Sequence, residues 1–366
     1  MTEKSDDEAF MAAALRLARR GLGRVWPNPA VGCVLVRGNR VVGRGWTQGG
    51  GRPHAETVAL SVAGSAASGA TAYVSLEPCS HFGKTPPCSE ALIVAGVVRV
   101  VTATEDPDPR VQGKGHERLR EAGIAVTEGV CRLAADDLNA GFFQRVRHGR
   151  PMVTLKLAMS VDGRIATHNG QSQWITDAES RARAHLLRAE HDAVMIGSAT
   201  AIADNPRLTV RLPGVEGHPL RIVADGRLTL PLTHELVRTA REVPTWLLTR
   251  ADADRTRQRA FEEVGVEVLT LKGIKAAPLD LGKALKLLGE RGLTRVLVEG
   301  GGRLAASLLS ADLVDRLVVF YAGMAIGGDG VPGIAGLGLH RLAGAPRFRR
   351  RSVERVGQDV MVQYSH

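Results

Sequence analysis

Four side chains in the first quarter of the chain have the types and spacing of a catalytic metal centre. His54 and Glu56 are separated by one residue, Cys79 follows Pro78, and Cys88 comes nine positions later. One imidazole and two thiolates fill three corners of a tetrahedral zinc ion and leave the fourth for water, which is the catalytic arrangement; a structural site wants a fourth protein ligand. Zinc lowers the pKa of its bound water to about 7, so a nucleophile is available at neutral pH. Glu56 is not a ligand in this reading. It takes the water proton and delivers protons to a ring nitrogen and to a departing amine.

The order His-x-Glu, then Pro-Cys, then a second Cys is the pattern of zinc deaminases, except that their two cysteines are separated by two residues and these enclose eight. The inserted Ser80–Pro87 lies beside the metal and can add substrate contacts. A lone His-x-Glu would carry little weight, and Cys33 or Cys131 alone reads as a small buried hydrophobe. The ordered set is much harder to obtain from unconnected core residues.

Elements must bring these residues together. Ser5 and Glu8 have capping-box spacing, and Phe10, Met11, Ala14, Leu15 and Ala18 recur on one helical face, which predicts an opening helix. Val31–Val36 and Arg40–Trp46 flank Gly38-Asn39 as a hairpin. A helix from about His54, a strand over Thr71–Leu76, a helix from Pro86-Pro87 to Gly96, a strand over Val97–Thr102, a helix around Gly115–Glu121 and a strand over Ile124–Val126 follow. Alternation of this kind implies an α/β layer. The polar stretch Arg145–Pro151 then reads as a boundary, giving domains 1–147 and 148–366. Beyond it the alternation restarts, with strands near Met152–Ala158, Ala193–Ile196, Leu220–Ala224, Thr245–Leu248, Val266–Leu271, Arg295–Val298 and Leu317–Tyr321, and helices over Asp177–Glu190 and Leu279–Arg291.

A length of 366 residues fits two cores better than one. Apolar residues at 44% and charged residues at 23% argue against disorder and membrane residence. The net charge of +10 invites a nucleic-acid reading, but only Arg347, Arg349, Arg350 and Arg351 cluster, and aromatic residues that could stack on bases are 4% of the chain. Anionic small substrates explain the balance as well. Acidic residues beside Lys4 and the lack of a membrane-length apolar run make the cytoplasm the expected compartment, where four cysteines stay reduced and free for metal binding.

Longer matches now bear on the chain. Pro27-Asn-Pro-Ala-Val-Gly-Cys33, His54-Ala-Glu56 and Leu76-Glu-Pro-Cys-Ser-His-Phe-Gly-Lys-Thr-Pro-Pro-Cys88 resemble the deaminase half of the bifunctional riboflavin-biosynthesis deaminase/reductase family. Thr154–Ala166, Gln173–Thr176, Asp204–Arg211 and Val298–Leu304 resemble its reductase half, so the resemblance spans nearly the whole chain. It implies a cytidine-deaminase-like three-layer α/β/α domain followed by a dihydrofolate-reductase-like α/β domain. The first would hydrolytically deaminate 2,5-diamino-6-hydroxy-4-(5-phosphoribosylamino)pyrimidine with one zinc ion. The second would reduce the ribosyl group of 5-amino-6-(5-phosphoribosylamino)uracil to ribityl with NADPH. The resemblance also suggests a homo-oligomer, a dimer or larger, with no nucleic-acid or membrane partner.

Residue by residue, the resemblance places Asn28 on the pyrimidine ring and His81 and Lys84 near the ribose phosphate. In the second domain it makes Lys156 catalytic, polarising or protonating the sugar, and Ser172, Arg188, Leu208, Arg211 and Glu299 substrate contacts, the two arginines suiting a phosphate. Ala158, Trp174, Thr200 and Asp204 match cofactor contacts. Gly301, Gly302, Arg303 and Leu304 belong to the glycine run after Val298, whose backbone amides can approach a pyrophosphate at a helix start. Alone, that run is a weak signal, since it is not Gly-x-Gly-x-x-Gly. The rival readings are a nucleic-acid deaminase using the basic surface, and a chain in which only one half is active.

Overall fold

Met11, Ala14, Leu15 and Ala18 are buried along helix α1 (Glu3–Ala18), the expected stripe. The helix starts at Glu3, so Ser5 lies inside it and does not cap it. The computed structural model describes residues 3–82, 86–273 and 277–366, and the chain divides into two units, Met1–Gly149 and Arg150–His366.

In the first unit α1 is followed by β1 (Gly32–Arg37), β2 (Arg40–Trp46), α2 (Ala55–Ala63), β3 (Thr71–Val74), α3 (Cys88–Val94), β4 (Arg99–Thr102), α4 (Lys114–Glu121) and β5 (Ala125–Thr127). Two helices, α5 (Arg132–Leu138) and α6 (Ala140–His148), complete it. The strands pair in the order β2-β1-β3-β4-β5, antiparallel across β2, β1 and β3 and parallel across β3, β4 and β5.

Side chains alternate across a strand, so β1 feeds two cores. Cys33 and Leu35 pack with residues of α2, α3, α4 and α6, whereas Val34 and Val36 pack with α1 and α5. The result is three layers. The stretch Arg145–His148, expected as linker, continues α6, because Phe142 and Phe143 of the same helix are buried in the core.

The second unit runs β6 (Met152–Ser160), β7 (Arg164–Ala166), α7 (Ala178–Ala189), β8 (Ala193–Gly197), α8 (Ser198–Asp204), β9 (Leu220–Ala224), α9 (Glu235–Arg238), β10 (Thr245–Arg250) and α10 (Arg255–Glu263). It continues with β11 (Glu267–Leu271), α11 (Leu281–Glu290), β12 (Arg295–Glu299), α12 (Gly302–Ser310), β13 (Arg316–Ala322), β14 (Val331–Pro332), β15 (Arg349–Val356) and β16 (Asp359–Ser365). Nine strands form one sheet, ordered β11-β10-β9-β8-β12-β6-β13-β16-β15. The sheet is parallel from β11 to β13, and β16 and β15 add an antiparallel hairpin that the sequence reading did not anticipate.

Arg349, Arg350 and Arg351, the basic cluster, lie exposed on the edge strand β15. Charge on an edge strand discourages pairing with another chain, which is a sufficient role for them. Among the described residues no helix is long and apolar enough to cross a membrane.

In the first unit the sheet and the helix α1 touch backbone to backbone. A Cβ placed on Gly32 of β1 would lie 1.9 Å from the Ala14 carbonyl oxygen of α1. Gly32→Ala is therefore expected to destabilise this unit by about 3 kcal/mol, the upper range for overpacking, read as a lower urea midpoint. An unchanged midpoint would show that α1 can move away freely.

Candidate active sites

His54 occupies the N-cap of α2, Cys88 is the first residue of α3, and Cys79 lies in the turn that leaves β3. Their donor atoms all lie within 4.8 Å of one another. His54 Nδ1 is 3.2 Å from Cys88 Sγ and 3.7 Å from Cys79 Sγ. Tetrahedral zinc with Zn–S near 2.3 Å and Zn–N near 2.0 Å requires donor separations of ~3.6 Å, so the observed pair brackets the need.

The electrostatics agree. The Cys88 backbone N–H donates to Cys79 Sγ at 3.3 Å from the start of α3. The hydrogen bond from Cys88 holds the Cys79 thiol down to about 4, while Cys88, sharing the same proton, is pushed up. Two sulfurs so close cannot both ionise unaided, and a divalent cation relieves that conflict.

Glu56 lies in the first turn of α2, 3% exposed. Burial, and then the Cys79 charge, raise it to about 7. It lines a cavity of about 220 Å³ with Asn28, His54, Cys79 and His81. Asn28 Nδ2 donates to the Gly51 carbonyl at 3.1 Å, which fixes the amide and leaves its oxygen to accept. His81 Nδ1 is buried with no hydrogen-bond partner among the described residues, as suits a donor or acceptor awaiting a ligand. Lys84 lies outside the described residues.

Sequence reasoning missed the part of this cavity contributed by Arg52, Asp106, Asp108, Arg110 and Arg145. The available signal was topological. Asp106-Pro-Asp-Pro-Arg110 follows β4, the parallel neighbour of β3, and ligands collect beyond the carboxyl ends of parallel strands. Burial raises Asp106 to about 7, against the hydrogen bond it accepts from the Asp108 backbone N–H at 2.9 Å. Arg110 is held by Asp108 through its Nε at 2.9 and 3.1 Å.

The second unit carries its own cavity, about 680 Å³. Lys156, Ala158, Ser172, Trp174, Arg188, Thr200, Asp204, Arg211, Glu299, Gly301, Gly302 and Arg303, all sequence candidates, line it. Leu208 and Leu304 do not appear on that wall. Leu208 is 4% exposed in the apolar core and Leu304 is buried on α12, so contact with a ligand would fall to their backbone.

Strand register sets the polar centre. Lys156 of β6 stands opposite Glu299 of β12, and Arg188 of α7 meets Glu299 through Nε to Oε1 at 2.5 Å and Nη2 to Oε2 at 2.9 Å. Arg188 Nη1 also donates to the Thr209 carbonyl at 2.9 Å. The Arg188 fork thus pairs with a carboxylate while the side chain still lines the cavity together with Arg211.

Burial raises Glu299, but the Arg188 and Lys156 charges outweigh it and hold the carboxyl below its usual range. Lys156 is lowered, chiefly by removal from water, with Arg188 adding and Glu299 opposing. His185, also missed, lies three residues before Arg188 on the same helical face, and its Nδ1 accepts the Arg211 backbone N–H at 3.3 Å. The i, i+3 spacing from Arg188 was the signal for it.

The glycine run fits a close ligand. Gly300 and Gly301 have φ of 103° and 83°, and a Cβ on Gly301 would sit 2.9 Å from Thr200 Oγ1. α12 begins there, so its free N–H groups face a bare backbone cradle on the cavity wall, the form of site that accepts a pyrophosphate. Trp174, 64% exposed, stacks under the Arg181 guanidinium at 4.6 Å on the same wall.

Cys79→Ser and Cys88→Ser should each reduce zinc in the purified protein from stoichiometric to a trace, measured by elemental analysis after gel filtration. Full zinc retention by both variants would mean that the metal sits elsewhere.

Residues 4–104 match the cytidine and deoxycytidylate deaminase zinc-binding region, and residues 151–362 match the RibD C-terminal domain. The riboflavin biosynthesis protein RibD of Aquifex aeolicus is 44% identical over 356 residues, 97% of this chain and 97% of that protein. The protein of the same name from Escherichia coli is 44% identical over 367 residues, 97% and 98% of the two chains. Among solved structures, Acinetobacter baumannii RibD superposes with a TM-score of 0.88 at 36% identity, over 99% of each chain. A diaminohydroxyphosphoribosylaminopyrimidine deaminase/5-amino-6-(5-phosphoribosylamino)uracil reductase from Thermotoga maritima superposes with a TM-score of 0.86 at 34% identity, over 100% of this chain and 99% of that one.

Proposed function

Since the chain belongs to the RibD family of riboflavin-biosynthesis deaminase/reductases, we propose that its two cavities carry out two consecutive reactions on one phosphoribosylated pyrimidine. The first unit replaces the 2-amino group of 2,5-diamino-6-hydroxy-4-(5-phosphoribosylamino)pyrimidine by oxygen and releases ammonia. The second reduces the ribosyl group of the resulting 5-amino-6-(5-phosphoribosylamino)uracil to ribityl. The observation that carries the reading is the convergence of the His54, Cys79 and Cys88 donor atoms, with His54, Cys79 and Glu56 lining one cavity.

In the first cavity His54, Cys79 and Cys88 would hold zinc, which when bound makes water acidic enough to attack at neutral pH. Asn28, its amide fixed by Gly51, orients the ring edge. Glu56, with a carboxyl near neutrality, accepts a proton from water and passes protons to a ring nitrogen and the leaving amine. His81 meets the ribose phosphate end, a role the family resemblance also implies for Lys84.

In the second cavity NADPH supplies the hydride delivered to C1′ of the sugar. The glycine run and the start of α12 would hold its pyrophosphate, and Ala158, Trp174, Thr200 and Asp204 would contact it. Lys156, its proton loosened by burial, polarises or protonates the reacting sugar. Glu299, fixed by Arg188, holds the substrate, while Ser172 orients it and Arg211 binds its phosphate. We place the enzyme in the cytoplasm, a reading supported by its four free cysteines, and assign it a homo-oligomeric state on the strength of the family resemblance.

Supplying the purified chain with the diaminopyrimidine substrate and NADPH, and following ammonia and NADPH together, tests the assignment. Glu56→Ala should lower ammonia release by about 10²–10⁴-fold and leave NADPH oxidation on deaminated substrate intact. Lys156→Ala should do the reverse. A folded variant that lost both activities would refute two independent sites.

A further inference from the structure

Glu77 sits two residues before the metal-side Cys79, yet its carboxylate is spent on another segment of chain. Oε2 accepts the backbone N–H groups of Asp106 at 3.2 Å and Gly113 at 3.0 Å, and Oε1 accepts those of Gly115 at 2.8 Å and His116 at 3.4 Å. The side chain is 3% exposed. Four backbone donors thus compensate one buried carboxylate, the arrangement by which such a charge is tolerated.

The contact is backed by packing. A Cβ on Gly115 would lie 2.0 Å from the Pro78 carbonyl oxygen, so the start of α4 presses directly on the turn that carries Cys79. The Glu77 backbone N–H also donates to the Thr104 carbonyl at 2.9 Å. Between these anchors runs the segment 106–113, irregular in backbone, which contributes Asp106, Asp108, Arg110 and Val111 to the deaminase cavity. Irregular backbone does not hold a wall in place by its own ladder of hydrogen bonds. Here one side chain supplies the missing acceptors at both ends.

We infer that Glu77 is a positioning residue for the deamination: it clamps the segment 106–113 and thereby shapes the substrate wall, without serving the metal. The inference rests on the deaminase reading of this cavity. Glu77→Gln is close to isosteric but has one acceptor oxygen and one NH₂ group. It can satisfy the Gly115 and His116 pair or the Asp106 and Gly113 pair, and must set donor against donor at the other.

The test compares full-length wild type with Glu77→Gln by amide hydrogen exchange, zinc content and steady-state deamination, with NADPH oxidation on deaminated substrate as the control for a folded chain. In wild type the amides of Gly113 and Gly115 should be protected although they flank a loop. In the variant one of the two amide pairs should exchange at least roughly tenfold faster, and KM for the diaminopyrimidine should rise roughly tenfold. kcat, zinc content and the reductase rate should stay near wild type. Unprotected amides in wild type, unchanged exchange in the variant, loss of zinc, or a collapse of kcat at constant KM would each overturn the inference. A variant too unstable to purify leaves the wild-type exchange pattern to decide. If the wild type releases no ammonia at all, the deaminase reading fails, whereas the exchange arms still decide whether Glu77 clamps the segment.

Discussion

Three soft donors have to meet within a few ångströms while a fourth direction stays open, and the first unit is built around that demand. Two of the donors stand where helices begin, His54 at the cap of α2 and Cys88 at the first residue of α3, and the third sits just past the end of β3. A helix start offers free N–H groups and partial positive charge, which is why a thiolate is at ease there. The Cys88 N–H on Cys79 Sγ is that effect at work. The same helix α2 that has His54 at its N-cap position carries Glu56 in its first turn, so ligand and proton carrier share one rigid element.

The second unit satisfies a related constraint by other means. Lys156, Glu299 and Arg188 place charges together at the floor of a cavity, and only mutual pairing makes that tolerable. Parallel register puts the lysine beside the glutamate, and α7 brings the arginine underneath. The pairing keeps the Glu299 carboxyl below its usual range, while burial, against the opposing pull of Glu299, makes Lys156 easier to deprotonate. The first unit gathers soft metal donors; the second opens a larger cavity with a glycine-rich wall.

Local pattern made much of this legible. The hairpin at Gly38-Asn39, the helix from His54, and the strands β1 to β6 and β8 to β13 follow from period and punctuation, and the metal donors were visible from their types and order. What escaped is what only the folded chain brings together. Asp106 and Arg145 reach the first cavity through sheet order and through a helix hidden in a stretch that reads as polar linker. β15 escaped because Arg349, Arg350 and Arg351 erase the apolar alternation that marks a strand, as an edge position permits. Arg188 was expected as a substrate contact, and its pairing with Glu299, 111 residues away in sequence, leaves no mark on the local pattern. Glu77 carried no signal of its own, since four backbone donors leave no trace in residue types.

The account stands on a zinc ion held by one imidazole and two sulfurs with one corner for solvent. X-ray absorption at the zinc edge of the active, unliganded enzyme measures this directly. The expected shell is two sulfurs near ~2.3 Å with one nitrogen and one oxygen near ~2.0–2.1 Å. A shell closed by a fourth protein donor, or active enzyme with no zinc edge at all, would contradict it.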